Sequence, residues 1–294
     1  MERYSSNEFL YRQLSSLFHQ PITESSFSPV GGGSINETFR LKLSDNNIFF
    51  CKINSASKFP HLFQKEKAGL EIISKTGSIK TPEVIDHFIA DDQQVLVLEW
   101  IQEGERNKSF WIKFGEQLAA LHNVSGEYFG LHENNFMGSV QQLNNLSKKW
   151  VSFFIDYRLR PLVNECFQVH LLAAGDVESF ENLYARLPQI FDEEEPALLH
   201  GDLWSGNIMC NKWSQPVLID PAVYFGHRSV DLAMTTLFGG FDKSFYEAYQ
   251  YHSPFPSNYR EQWEVCNLYP LLIHLLLFGK SYLHQVTATL KKYQ

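Results

Sequence analysis

The most informative stretch of this chain is Leu198-Leu199-His200-Gly201-Asp202-Leu203-Trp204-Ser205-Gly206-Asn207, followed by Leu218-Ile219-Asp220-Pro221. An apolar pair leads into His-Gly-Asp, and four residues separate Asp202 from Asn207. A second apolar run then ends in Asp220. A carboxylate held beside a hydroxyl can accept its proton, and amide and carboxylate oxygens are the hard ligands that Mg²⁺ takes. The stretch therefore predicts Asp202 as a general base and Asn207 and Asp220 as Mg²⁺ ligands.

The spacing matches the phosphoryl-transfer arrangement of protein kinases. There, a catalytic-loop Asp is followed by an Asn and, after the next strand, by a metal-binding Asp. Asp, Ser, Gly and Asn in a run also form ordinary turns, and His-Gly-Asp alone is weak support for any function. The complete set, with Asp220 at the right distance, favours phosphoryl transfer over a plain turn.

Length and composition limit the classes of protein to which this chain can belong. The 294 residues are 44% hydrophobic and 20% charged, which is enough for two lobes with their own cores. The formal net charge of −8 disfavours nucleic-acid binding. No apolar run reaches the ~20 residues of a membrane span, and the first residues lack the apolar core of a signal peptide. We expect a cytoplasmic protein, most simply a monomer. Its four scattered cysteines predict reduced thiols and no zinc site.

The first third of the chain predicts an antiparallel sheet. A helix is expected over 8–18, and alternating residues predict a strand over 39–43. The strand follows Gly31-Gly32-Gly33-Ser34, whose backbone N–H groups can approach phosphates at the tip of a hairpin. This is no Walker A loop, because Gly-Lys-Ser/Thr is missing and a strand follows. A plain flexible hairpin is the alternative.

A lysine in an apolar strand is the next candidate. Lys52 lies in the predicted strand 48–53, where a lysine either extends to the sheet edge or, in a kinase lobe, pairs with ATP phosphates and a helix Glu. The predicted helix 60–73 offers Glu66 and Glu71. Glu66 is preferred, and Glu71 remains open.

A change of composition then predicts the lobe boundary. Strands over 81–85 and 94–101 complete the sheet, and the polar, glycine-containing residues 102–105 follow. We predict an N-terminal ATP-binding lobe over 1–101 and a C-terminal catalytic and substrate lobe over 102–294. Backbone groups of Glu99, Trp100 and Ile101 are candidates for pairing with the adenine edge.

The rest of the chain has a helical period. Helices are predicted over 110–121 and 150–162 and onward to 191, with a loop between 129 and 138 and further helices from Asp231 to the C-terminus. We expect His122 to be a packing residue. Asp231 either caps its helix or accepts hydrogen bonds from the backbone of the catalytic loop. The two roles are compatible.

Together these stretches resemble the fructosamine kinase / ketosamine-3-kinase family, in the protein-kinase-like superfamily. The residues that carry the resemblance extend over nearly the whole chain and are Gly31 to Glu37, Lys52, Phe63, Glu66, Gly69-Leu70, Pro82, Leu98-Glu99, Leu118-Ala119 to His122, His200 to Asn207 and Asp220-Pro221-Ala222. Trp204 is the most discriminating, since aminoglycoside and choline kinases usually differ there. Asp-Pro-Ala in place of Asp-Phe-Gly argues against a protein kinase.

The resemblance implies an α+β, two-lobed protein-kinase-like fold, with an antiparallel sheet and helix in the N-terminal lobe and a mainly helical C-terminal lobe. It implies ATP- and Mg²⁺-dependent phosphorylation of the 3-hydroxyl of a ketosamine, free or on a protein lysine, as in glycation repair. Asp202 is then the base, Lys52 pairs with Glu66, and Trp204 and His200 bind substrate. Some relatives have a cysteine at the position that Ser34 occupies in this chain. Because a serine has no thiol, no thiol switch is expected there.

Two other functions stay open. A related kinase would act on an aminoglycoside, choline or homoserine, and an aminoglycoside site would need an acidic rim for its polycation. A pseudokinase would bind ATP without turnover. Against it, Lys52, Asp202, Asn207 and Asp220 are all present, and a module without catalysis has no physical need for all four.

Overall fold

The structure is a computed structural model that describes residues 3–31 and 35–294. Its N-terminal part is a five-stranded antiparallel sheet in the order β1-β2-β3-β5-β4. The strands are β1 (Phe27–Pro29), β2 (Glu37–Lys42), β3 (Ile48–Ser55), β4 (Val84–Ala90) and β5 (Gln93–Glu99). The predicted α+β class with an N-terminal antiparallel sheet is therefore confirmed.

Two helices cover the two faces of this sheet. Because successive strand residues point to opposite faces, Val95 and Val97 of β5 pack toward α1 (Arg3–Phe18), while Leu96 and Leu98 pack toward α2 (Leu62–Thr76). Strand β5 is thus buried on both sides. Lys52 pairs with Leu96 across the ladder between β3 and β5, so its side chain belongs to the face that carries α2.

The C-terminal part is mainly helical, as predicted, with one large core. Its helices are α3 (Lys108–His122), α4 (Trp150–Phe154), α5 (Arg160–Gln168), α6 (Ala174–Ile190), α7 (Ser229–Met234), α8 (Lys243–His252), α9 (Tyr259–Cys266), α10 (Leu268–Phe278) and α11 (Leu283–Leu290). Asn107 caps α3, because its side-chain oxygen accepts from the Phe110 N–H at 3.0 Å. Among the described helices, none combines the length and the apolar content of a membrane span.

The stretch after α6 forms short antiparallel pairs around the catalytic-loop sequence. β8 (Ala197–Leu199) pairs with β11 (Tyr224–Gly226), and β9 (Ile208–Cys210) pairs with β10 (Pro216–Leu218). His200 to Asn207 follows β8 and Asp220 follows β10, so both segments emerge from buried strands. This pairing brings the two halves of the motif together.

Two expectations for the C-terminal part were wrong. The loop predicted between 129 and 138 includes β6 (Asn135–Met137), which forms a hairpin with β7 (Val140–Gln142) just beyond it. Strands of three residues are too short for an alternating pattern to identify them. The helix predicted over 150–162 passes through a π-helical turn (Ile155–Leu159), and the helical stretch predicted onward to 191 is interrupted between α5 and α6. His170, with φ of 60°, lies in that interruption.

Candidate active site

A cleft of about 800 Å³ lies between the sheet with α2 and the helical part of the chain. From the N-terminal side it is lined by Gly31, Lys52 and Glu66, among others. From the C-terminal side it is lined by Asp202, Trp204, Asn207 and Asp220, with several aromatic side chains. Lys52 and Asp220, which are 168 positions apart in sequence, therefore meet at one surface.

Lys52 lies between two carboxylates in this cleft. Its Nζ is 2.7 Å from Glu66 Oε1 and 2.5 Å from Asp220 Oδ1, and its side chain is only 4% exposed. Burial alone would lower the pKa of this ammonium, but the charges of Asp220 and Glu66 outweigh burial and raise it. Lys52 is therefore a fixed cation. The other candidate, Glu71, lies on a different face of α2 and approaches Lys67 at 3.9 Å.

Asp202 and Asn207 are held together by a short turn. Asn207 ends the 3₁₀ turn Ser205–Asn207, and its Nδ2 donates to the Asp202 carbonyl at 2.8 Å and to Asp202 Oδ2 at 2.9 Å. Burial raises the pKa of Asp202 to about 7, partly opposed by the bond from Asn207, and the charges of Asp220 and Asp231 add to the rise. A carboxylate with this pKa can accept a proton near neutral pH.

The backbone of the catalytic loop is tied to Asp231. This carboxylate accepts from the N–H of His200 at 2.7 Å and from the N–H of Gly201 at 2.9 Å. It also lies 3.2 Å from Nε2 of His122, and Nδ1 of the same ring lies 2.8 Å from Tyr249 Oη. Arg228 precedes α7 at the N-cap position, so Asp231 braces the loop and does not cap the helix. His122 is buried, in keeping with a packing role.

Gly201 makes the turn into Asp202 possible. Its φ is +84°, in the left-handed region that favours glycine. A Cβ at this position would lie 2.0 Å from the carbonyl oxygen of Ala222. The Ala222 N–H in turn donates to the His200 carbonyl at 2.8 Å. The catalytic loop and the segment after Asp220 therefore touch through their backbones, with no room for a side chain.

The structure does not bring His200 into the cleft, contrary to its predicted role in substrate binding. Its ring is fully buried, with Nε2 2.9 Å from the carbonyl of Ile219, and its Nδ1 accepts from the Asp202 N–H at 3.2 Å. Burial lowers the pKa of this imidazole, against the raising effect of Asp231 and of the bond to Ile219. His200 is thus a neutral ring that joins the strand before Asp220 to the loop. The sequence could not distinguish this structural role from substrate binding, because either role places the histidine beside Asp202.

The donor set suits Mg²⁺. Asp220 directs a carboxylate, 40% exposed, into the cleft. Asn207 makes its two hydrogen bonds to Asp202 through Nδ2, so its amide oxygen can serve as a metal ligand. Two hard oxygens fit an ion that takes one or two carboxylates and completes its shell with phosphates and water. Within 3–31 and 35–294 no group of three His, Cys, Asp or Glu side chains offers an all-protein metal site.

The other predicted nucleotide-binding residues divide into three groups. Gly31 lines the cleft, whereas Gly32, Gly33 and Ser34 lie outside the described residues. Side chains of Glu99, Trp100 and Ile101 are not part of the cleft lining: Glu99 pairs with Lys80 at 2.7 Å, and Trp100 packs near Phe50 with ring centroids 6.4 Å apart. The backbone N–H of Glu99 already donates to the Glu83 carbonyl at 2.8 Å.

Trp204 begins an aromatic wall that the sequence did not reveal. Its ring meets Phe238 edge-on at a centroid distance of 5.8 Å, and Phe238 lies 5.0 Å from His274. The wall ends with Phe278 and Tyr282, which contact His274. In the sequence, His274 and Phe278 resemble ordinary core residues because they belong to the apolar helix α10. Phe278 is nevertheless 51% exposed and Phe238 is 40% exposed, both toward the cleft.

The family model for fructosamine kinase matches residues 7–294. The chain belongs to the fructosamine kinase family. It is therefore an ATP-dependent phosphotransferase that acts on a hydroxyl group. A protein named probable ketoamine kinase from Synechocystis is 36% identical over 286 residues, covering 96% of this chain and 94% of that protein.

Two further similar proteins support the assignment of the chain to this family. The chloroplastic protein-ribulosamine 3-kinase of Arabidopsis thaliana is 33% identical, covering 86% of this chain and 78% of that protein. A crystal structure from Thermobifida fusca, assigned as a fructosamine-3-kinase, superposes with a TM-score of 0.86 at 28% identity, covering 96% of this chain and 97% of that one. The two-lobed α+β fold predicted for this chain is thus confirmed over nearly its full length.

Proposed function

We propose that this chain transfers the terminal phosphoryl group of ATP, with Mg²⁺, to the 3-hydroxyl of a ketosamine. The observation that carries the proposal is the meeting of Lys52, Asp202, Asn207 and Asp220 in one cleft beside an aromatic wall. The names of the relatives support the acceptor class, since they are ketoamine and ribulosamine kinases.

In this proposal each polar group has a separate task. Asp202 accepts the proton of the attacking hydroxyl, and Asn207 fixes the orientation of that carboxylate. Lys52 neutralises phosphate charge, and Glu66 holds its ammonium in place. Asn207 and Asp220 would hold Mg²⁺, which supplies charge neutralisation on the phosphates when bound. Catalysis rests on positioning and electrostatics, because phosphoryl transfer requires little covalent chemistry from the protein.

The aromatic wall supports a sugar-amine acceptor. Aromatic faces stack on the apolar face of a sugar, and they attract an ammonium group through the ring quadrupole. Trp204 stands two residues from Asp202, so an acceptor packed against its ring would present a hydroxyl near the base. We also propose that residues 1–101 form the nucleotide-binding lobe and 102–294 the catalytic and substrate lobe, joined by the polar residues 102–105.

A substrate panel tests the proposal. ATP consumption with Mg²⁺ is measured against a ribulosamine, a fructosamine, an aminoglycoside and choline, with mass spectrometry of the product. We expect saturable turnover on the ketosamines alone, lowered by about 10²–10⁴-fold in Asp202→Asn. Turnover only on choline or the aminoglycoside would refute the acceptor class, and ATP binding without turnover on any of the four would indicate a pseudokinase.

A further inference from the structure

Asp220 has a left-handed backbone conformation. Its φ is +54°, in a region that destabilises most L-residues by about 1–2 kcal/mol and that Asp adopts more readily than most. Such a conformation persists only where the surrounding structure holds it. The segment that follows Asp220 must therefore be fixed by contacts from elsewhere in the chain.

The base of the hairpin formed by β6 and β7 makes these contacts. Asn135 Nδ2 donates to the carbonyl of Val223 at 2.8 Å, and Gln142 Nε2 donates to the carbonyl of Ala222 at 3.0 Å. Both side chains are buried, at 6% and 1% exposure. They reach the segment from 88 and 80 positions earlier in the sequence, respectively.

A second layer of hydrogen bonds fixes the orientation of both amides. The Asn135 oxygen accepts from Gln142 Nε2 at 2.8 Å and from Asn144 Nδ2 at 2.9 Å, and the Gln142 oxygen accepts from Tyr269 Oη at 2.9 Å. Asn144 is anchored in turn by Arg158, whose Nη2 donates to its oxygen at 2.7 Å. Neither amide can flip without losing these bonds, so their N–H groups must face the backbone after Asp220.

We infer that Asn135 and Gln142 are positioning residues that hold Asp220 in its metal-binding conformation. The inference rests on the proposed function, which makes Asp220 a Mg²⁺ ligand. Asn135 and Gln142 do not touch the reacting groups. They act through the carbonyls of Ala222 and Val223, and Ala222 is also bonded to the catalytic loop at His200. Residues that orient metal ligands typically contribute 10–100-fold, roughly, to metal affinity.

The hairpin also extends to the mouth of the cleft. Phe136 packs with Leu62, Phe63 and Leu70 of the N-terminal part, and Phe136 and Gly138 line the cleft. The element that holds Asp220 from behind therefore contacts α2, the helix that carries Glu66. A shift of the hairpin would move both carboxylates that flank Lys52.

The test replaces the donor amides by carboxylates of nearly the same shape. Asn135→Asp and Gln142→Glu put an oxygen against the Val223 and Ala222 carbonyls. Gln142→Met removes the amide without adding charge. The matched control is Gln262→Glu, because Gln262 is also fully buried and its Nε2 donates to a backbone carbonyl, that of Ile190, at 3.1 Å. Folding of all variants is checked by circular dichroism and thermal unfolding.

Calorimetry then measures the affinity for a non-hydrolysable ATP analogue with Mg²⁺ and with EDTA. We expect the gain in affinity given by Mg²⁺ to fall by about tenfold or more in the hairpin variants, with the affinity in EDTA unchanged. Hydrogen exchange of a peptide covering residues 219–225 should be faster in the ligand-free hairpin variants. In the control, the gain in affinity given by Mg²⁺ and the exchange rate of residues 219–225 should match those of the unmodified protein.

Three outcomes would overturn the inference: an unchanged Mg²⁺ gain in folded hairpin variants, an equal loss in Gln262→Glu, or hairpin variants that fail to fold where the control folds. Asp220→Asn is measured alongside. If it also keeps the full Mg²⁺ gain, the proposed metal role of Asp220 has failed. The exchange rate of residues 219–225 then still decides whether the hairpin holds this segment.

Discussion

The ammonium of Lys52 lies 2.5 Å from the carboxylate of Asp220, a residue on the opposite side of the cleft. Glu66 approaches the same ammonium at 2.7 Å. One buried cation therefore lies between two acidic groups, and burial raises the pKa of Glu66 to about 7, against the lowering effect of the Lys52 charge. Nucleotide phosphates alone would add negative charge beside these acidic groups. The arrangement is consistent with binding of nucleotide and Mg²⁺ together.

Replacement of Lys52 should affect stability and activity separately. Lys52→Met leaves Glu66 buried without its cation, so we expect the free energy of unfolding to fall by about 3–5 kcal/mol. The double variant Lys52→Met/Glu66→Gln removes the buried charge and should recover most of that stability without recovering turnover. Urea unfolding and initial rates measure the two effects. A double variant as unstable as Lys52→Met would contradict the assignment of Glu66 as the buried partner.

Removal of the proposed base, Asp202, should reduce the rate without reducing nucleotide binding. In Asp202→Asn the carboxylate is lost but the shape is kept, and we expect kcat to fall by about 10²–10⁴-fold. The dissociation constant of the ATP analogue with Mg²⁺ should stay close to that of the unmodified protein. Single-turnover rates and calorimetry give the two numbers. A near-normal kcat would rule out Asp202 as the base.

Gly201 should tolerate no side chain. In Gly201→Ala the methyl group would meet the Ala222 carbonyl, at a position whose φ already disfavours L-residues. We expect a loss of about 2–5 kcal/mol in the free energy of unfolding, together with loss of turnover.

Gly175→Ala is the matched control for this substitution. Gly175 lies in the first turn of α6, and a Cβ there meets no atom within 4 Å. We expect that variant to be equal to the unmodified protein or slightly more stable, with full activity. Equal behaviour of the two alanine variants in urea unfolding would show that the catalytic loop has room to adjust.

Stability should fall below neutral pH because of a buried histidine. His227 is fully buried between the rings of Trp150 and Phe191. Burial lowers its pKa to about 4, against the raising effect of Glu194 and Asp192, with Arg228 and His122 lowering it further. In the unfolded chain the pKa returns to about 6.5. The unfolded state therefore binds the proton first, and the stabilising contribution is complete above pH 6.5 and lost as pH falls toward 4.

We expect His227 to account for about 2 kcal/mol of lost stability between pH 7 and pH 5. His227→Gln should show a correspondingly smaller change over that interval, because it cannot titrate. Urea unfolding of both proteins at the two pH values measures the difference. The same loss in both would assign the pH dependence to other groups, such as the buried ring of His200.

Local sequence predicted the parts of the site that depend on short-range spacing. Asp202, Asn207 and Asp220 lie within 19 positions of each other, and their chemistry follows from residue type and interval. Lys52 was found because a single charge in an apolar strand is unusual. The sheet and most helices followed from alternation and helical period, which depend on one burial face per element.

The tertiary structure decided what depends on contacts between distant segments. The register of α2 selected Glu66 over Glu71, and burial of the ring excluded His200 from the cleft. The hairpin of Asn135 and Gln142 escaped prediction because two amides have no recognisable pattern until their acceptors lie next to them. Likewise, Phe278 and Phe238 are of a residue type typical of cores, and only the tertiary structure shows that they face the cleft. Sequence thus determined which groups can perform the chemistry, whereas long-range packing determined where each group lies and what it contacts.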